Sequence, residues 1–189
     1  MLTERVPRQK SSQAEFLKSD LLTTLAVPSD ERLALPAGAM ASALQAEDMS
    51  GVLAACTDFV GIAADFYEVE RPGTRVLSAR PRRAREGWTS ELFGDYAPET
   101  RQIRIWMRTA VRRQVTSFGT LLSTLCHEFC HHLDYQQFKF RDSWHTRGFY
   151  ERTAVLYHHA RGTAVKKLFW IKVGRGQWRI DWLRTRRGG

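Results

Sequence analysis

Cysteine is scarce in this chain: Cys56, Cys126 and Cys130 are the only three in 189 residues. So few thiols, and an odd number, exclude a disulfide scaffold as the source of stability. Proline is scarce too, with 6 residues, and a hydrophobic share of 43% excludes disorder along the whole length. No uninterrupted apolar run approaches the roughly 18 residues that span a bilayer. The first dozen residues, Met1 to Ser12, are polar and basic and lack the apolar segment of a secretory signal. These absences predict a cytoplasmic protein with no membrane partner. At this length one domain with a real core is expected.

Acidic residues are missing from one end. Nine Lys or Arg and a single acid, Asp181, occupy residues 161–189, in a chain of net charge +9. Such a surplus suits phosphate backbones, and Lys166, Lys167, Arg184, Arg186 and Arg187 are the candidate contacts to DNA or RNA. Arg80, Arg82, Arg83 and Arg85 form a second cluster. For either cluster a solvated, solubilising surface is the plainer alternative.

Against that background one pattern stands out. Residues 126–131 read Cys-His-Glu-Phe-Cys-His, a complete HExxH. One helical turn brings His127 and His131 side by side, where both imidazoles can bind one Zn²⁺. Glu128 then lies beside them as the general base for a water molecule. On a helical wheel His127, His131, Asp134 and Tyr135 share one side, and Leu122, Leu125, Cys126, Phe129 and Leu133 share another. Thr116 and Ser117 are candidate N-caps. Cys126 and Cys130 read as small packing residues, because sulfur-rich zinc sites are closed structural ones in which Glu128 would have no part.

Around this helix the pattern predicts an α+β fold. A first helix is expected over 12–26 with Phe16, Leu17, Leu21 and Leu25 inward, and a second from Ser50 with Val52, Leu53, Cys56, Val60 and Ala63. Short extended pieces follow at Phe66–Glu70 and Thr74–Ala79, then a long connection over 81–100. Gln102 to Met107 alternates as a strand, with Ile103 and Ile105 opposite Arg104 and Trp106. A helix from about 145 to Ala160 and a terminal hairpin complete the chain. The hairpin pairs 168–173 with 177–183 around Gly174-Arg175-Gly176, with Trp178, Ile180 and Trp182 on one face. The expected division is a flexible N-terminus (1–11), a main domain (12–160) and a basic hairpin packed on it (161–189).

A catalytic zinc takes three protein ligands and keeps one position open. His145, at the start of the next helix, is the first candidate for the third ligand, and Glu151 is the rival. Asp134, a turn beyond His131, is better placed to hold a ligand's second nitrogen. His132 points away by about 100° and reads as surface or second sphere. His158 and His159 read as structural.

Strand, HExxH helix, loop and the later His-x-x-Gly-Phe together resemble the SprT-like (Spartan-type) zinc metallopeptidases. The matching residues are His127, Glu128, His131, His145 and Phe149, with the strand around Ile103–Ile105. The resemblance spans roughly 50–160, and its specific part about 102–157. It implies a zincin-like fold, a small mixed or antiparallel sheet packed on the HExxH helix, with N-terminal helices and the basic hairpin as additions. It also implies one Zn²⁺ per chain held by His127, His131 and His145, with Glu128 as general base. Members cleave proteins associated with DNA. In this chain the glycine stands three positions after His145 rather than next to it, and no Cys-x-x-Cys ribbon follows.

The expected reaction is hydrolysis of peptide bonds. The strand residues Ile103, Arg104 and Ile105 would offer an edge to an extended protein or peptide substrate. Tyr150, Arg152 and Tyr157 are candidates for stabilising the oxyanion. The alternative reading is a nucleic-acid-binding or regulatory module with a vestigial zincin site.

Overall fold

The structure, a computed structural model, describes residues 1–85 and 88–188, with side chains described outside residues 83–90. In chain order these form α1 (Lys10–Leu21), α2 (Ala34–Gln45), α3 (Met49–Phe66), β1 (Gly73–Ala79), β2 (Arg82–Arg85), β3 (Trp88–Glu91) and β4 (Gly94–Ala97). Then come β5 (Gln102–Arg108), α4 (Phe118–Gln136), α5 (Arg147–Ala160), β6 (Trp170–Gly174), β7 (Gln177–Ile180) and α6 (Trp182–Arg187). The fold is a mixed α+β arrangement. The chain divides into two compact units, Pro28–Lys139, and Met1–Val27 with Phe140–Gly189.

The first unit holds a three-stranded sheet in the order β1-β5-β4, with β1 parallel and β4 antiparallel to the central β5. Helix α3 packs on α2 and β1, and α4 packs on β4, β5 and α2. By length and composition α3 would suffice to cross a membrane. Here Val52, Ala55, Cys56, Phe59 and Val60 bury one of its sides in the core. Alternation works as expected in β5, where Ile103 and Ile105 are fully buried. Trp106, on the other face, is nearly as buried, while Arg104 on that face is exposed.

Two stretches of this unit differ from expectation. Helix α2 was not among the expected helices; Pro36 sits in its first turn, where its missing N–H costs nothing. Residues 81–100 are not an open connection: β2 and β3 pair antiparallel there, and β4 follows. Of the Arg80 cluster, Arg80 is buried, donating to Glu91 and Thr116. The side chains of Arg83 and Arg85 lie outside the described residues.

In the second unit α1 packs on α5. Two close contacts explain why. Gly148 leaves no room for a side chain, since a Cβ there would stand 2.1 Å from the Ser19 carbonyl oxygen. Arg152 is buried and donates to the carbonyl oxygens of Ser19 (3.1 Å) and Leu22 (2.7 Å) at the C-terminus of α1. The expected stripe on α1 is corrected accordingly: Phe16 and Ser19 face inward, while Leu17 and Leu21 are exposed. The N-terminus is not a loose end, because Thr3 is buried and its N–H donates to Trp178 O at 2.8 Å. The terminal hairpin forms, yet its second strand stops at Ile180. Asp181 accepts from the Arg184 N–H and starts α6, which leaves Trp182 on an exposed helical turn.

These contacts make two glycines unequal. Gly148→Ala is expected to destabilise the chain by about 3 kcal/mol in urea unfolding, because the intruding atom meets backbone that cannot yield. Gly38→Ala in α2, where nothing lies within 4 Å of an added Cβ, is expected to be neutral or stabilising by up to about 1 kcal/mol. Equal effects at the two positions would contradict this account of how α1 docks.

Candidate metal centre

Helix α4 is fixed by its cap and by its buried side. Ser117 caps it, accepting from the Thr120 N–H at 3.2 Å. Leu121, Leu122, Leu125, Cys126, Phe129 and Leu133 bury one side almost completely. Cys126 and Cys130 are buried as well, and burial pushes the Cys126 thiol far above its ordinary range, as expected of packing residues.

On the opposite side the imidazoles of His127 and His131 are half-buried, with Nε2 atoms 3.2 Å apart and ring planes at 80°. Two nitrogens on one tetrahedral Zn²⁺, each at 2.0–2.1 Å, are separated by about 3.3 Å. The pair therefore already has the spacing of a tetrahedral edge.

Glu128 points away from solvent, being only 6% exposed. Its carboxyl is received by β4: a Cβ on Gly94 would lie 2.9 Å from its Oε1 and 2.5 Å from the methyl carbon of Thr124. Only glycine at this position lets strand and helix approach so closely. Burial, with a smaller contribution from the charge of Asp95, pushes the Glu128 carboxyl from its ordinary 4.5 up to about 8.

His132 differs from expectation. It is completely buried, neither on the surface nor beside the two other histidines. Its Nε2 lies 2.8 Å from Glu70 O and its Nδ1 3.0 Å from the Tyr96 hydroxyl. A carbonyl can only accept, so Nε2 carries the proton and Nδ1 accepts from Tyr96. Burial lowers the pKa and keeps the ring neutral. Asp134, the candidate for holding a ligand, is fully buried one turn beyond His131.

The remaining candidates belong to the unit of residues 1–27 and 140–189. His145 directly precedes Thr146, the N-cap of α5, which accepts from the Phe149 N–H at 3.1 Å. Its Nδ1 lies 2.8 Å from Glu4 Oε1, a partner 141 residues away that sequence reasoning missed and for which the sequence gives no signal. This hydrogen bond holds the Glu4 carboxyl below its ordinary range. Glu151, the rival candidate, accepts from Trp170 Nε1 through its Oε1 at 3.0 Å. The suggested oxyanion residues are also engaged elsewhere. Arg152 caps α1, the Tyr150 hydroxyl donates to Leu2 O at 3.2 Å, and the Tyr157 hydroxyl accepts from Arg161 at 2.6 Å.

The expected substrate edge is also corrected. Ile103, Arg104 and Ile105 lie in the central strand, whose two edges are already paired with β1 and β4. Among the described residues the outer edge of β4 is unpaired by any strand. Lys166, Lys167, Arg184, Arg186 and Arg187 are all exposed. Arg184 lies over the ring of Phe169 at 4.3 Å, with Lys167 at 5.5 Å from it.

No family model matches this chain, and no characterised protein or solved structure matches it.

The buried carboxyl has a cost. An acid whose pKa rises on folding stabilises the fold in its protonated form, so the penalty is absent below about pH 4.5 and grows as pH rises towards 8. In metal-free protein at pH 7, Glu128→Gln is expected to raise stability by on the order of 1–3 kcal/mol. Thermal or urea unfolding in the presence of a chelator measures this. A destabilised variant would contradict the placement of Glu128.

Proposed function

We propose that this chain is a zinc-dependent metallopeptidase of the SprT-like kind, hydrolysing peptide bonds in protein substrates. The carrying observation is the pair of imidazole nitrogens 3.2 Å apart on α4 with the buried carboxyl of Glu128 one residue away. Imidazole nitrogens at this spacing, a third histidine and a carboxylate suit Zn²⁺ better than Mg²⁺ or Ca²⁺, which take oxygen ligands.

In this reading His127, His131 and His145 hold the ion. When bound, zinc supplies a Lewis acid that polarises the scissile carbonyl and acidifies the attacking water. Glu128 accepts a proton from that water and delivers it to the leaving amine, so that water and amide become carboxylate and amine. An acceptor with a pKa near neutrality suits both halves of that transfer, and burial supplies the upward shift. The outer edge of β4 is proposed to bind the extended substrate by backbone pairing. Its first residue, Gly94, brings that edge against Glu128.

We further propose nucleic-acid-associated proteins as the substrate class and DNA or RNA as a partner, on the five exposed cations of the C-terminus. Binding to a DNA oligonucleotide should weaken steeply between about 50 and 200 mM salt. Binding that ignores salt, or none, would remove this part of the reading.

With a labelled unfolded protein as substrate, Glu128→Gln is expected to keep its metal and lose turnover by about 10²–10⁴-fold. His131→Ala is expected to lose both. Cleavage by Glu128→Gln at the wild-type rate would exclude Glu128 as the base.

A further inference from the structure

The N-terminal residues are hydrogen-bonded to the terminal hairpin alongside β7. Leu2 bridges Arg179 in antiparallel fashion. The Thr3 N–H donates to Trp178 O, the Trp178 N–H to Thr3 Oγ1, and Gln177 Nε2 to Thr3 O, each at 2.8 Å. Thr3 is 3% exposed. Residues 1–4 thus hold a defined register, and that register delivers Glu4 to His145.

The contact is made three ways. The Glu4 N–H donates to His145 O at 3.0 Å. The His145 N–H donates to Glu4 Oε1 at 3.3 Å, and the same oxygen lies 2.8 Å from His145 Nδ1. A carboxylate only accepts, so Nδ1 carries a proton, and in the neutral ring the lone pair is on Nε2. The ring is also stacked on Tyr150, with centroids 5.8 Å apart and planes at 19°, and meets the edge of Phe149. The Tyr150 hydroxyl in turn donates to Leu2 O, tying the stacking partner to the same N-terminal strand.

We infer that Glu4 is a positioning residue for the metal site: it fixes His145 in the Nδ1-protonated tautomer and presents Nε2 as the ligand atom. The N-terminal strand and the β6–β7 hairpin are its mount, so metal affinity depends on their pairing. This rests on the metal-site reading above. A carboxylate or carbonyl on the second nitrogen of a metal-binding histidine orients the ring and raises its basicity, and its loss costs about 10–100-fold in affinity.

The test is zinc affinity of the full chain, measured by competition with a chromophoric chelator. Glu4→Ala is expected to weaken binding about 10–100-fold, and Glu4→Gln, which keeps an acceptor oxygen, to recover part of the loss. Thr3→Pro leaves Glu4 intact and deletes the N–H that donates to Trp178, so it should weaken binding as well. Glu15→Gln removes a different carboxylate of the same unit, one that accepts from the Arg141 N–H, and should leave affinity within about twofold. Nitrogen chemical shifts of His145 in metal-free protein give a second readout, with the Nδ1-protonated tautomer expected in wild type and lost in Glu4→Ala. Wild-type affinity and an unchanged tautomer in Glu4→Ala would overturn the inference while leaving the metal site standing. A wild-type chain that binds no zinc, or His131→Ala binding as tightly as wild type, would instead overturn the site itself.

Discussion

Helix α4 must bury one side completely while holding two imidazole nitrogens 3.2 Å apart on another, and most of the surrounding unit follows from that constraint. The apolar stripe from Leu121 to Leu133 sets the rotation of the helix about its axis. Once the rotation is set, the i, i+4 spacing points His127 and His131 together. Glu128 is then carried towards β4 rather than towards water. The strand can receive it only because residue 94 lacks a side chain. His132, on the next position round, reaches Glu70 and Tyr96 and pins the helix to the loop after α3 and to β4.

A charged or ionisable group forced out of water works against stability, and this chain keeps one at the place where its chemistry is proposed. Structural buried groups in the same protein are treated differently. Arg80 and Arg152 are as buried as Glu128, but each has oxygen acceptors that share its charge. His132 loses its charge altogether. For Glu128 burial and the nearby charge of Asp95 act in the same direction, both favouring the protonated form. Strained or destabilised groups concentrate where function needs them.

The sequence made the centre of the site legible and its supports illegible. HExxH on an amphipathic pattern specified α4, its N-cap at Ser117 and the shared side of two histidines, because all three depend only on residues within one helix. Strand β5 was legible for the same reason, its alternation being local. What failed was non-local. Whether Ile103–Ile105 form an edge depends on β1 and β4 pairing on either side, and no spacing in β5 encodes that. That Trp170, 19 residues on, donates to the Glu151 carboxylate was equally invisible to local spacing. Glu4 could not be found at all, since the contact spans 141 residues through a strand that reads as a polar tail. Helix α2 was not among the expected helices: proline interrupts most helices, whereas Pro36 stands in a first turn, where proline is compatible with one.

The proposed metal site has three histidines of one chain sharing one zinc ion. Metal content per chain on untagged protein, with His131→Ala and His145→Ala alongside, tests it most directly. One zinc per chain is expected in the wild type, none retained by His131→Ala and weakened retention by His145→Ala. A wild-type chain that keeps no metal after zinc is offered and dialysed away would contradict it, as would a His131→Ala variant that retains the wild-type amount.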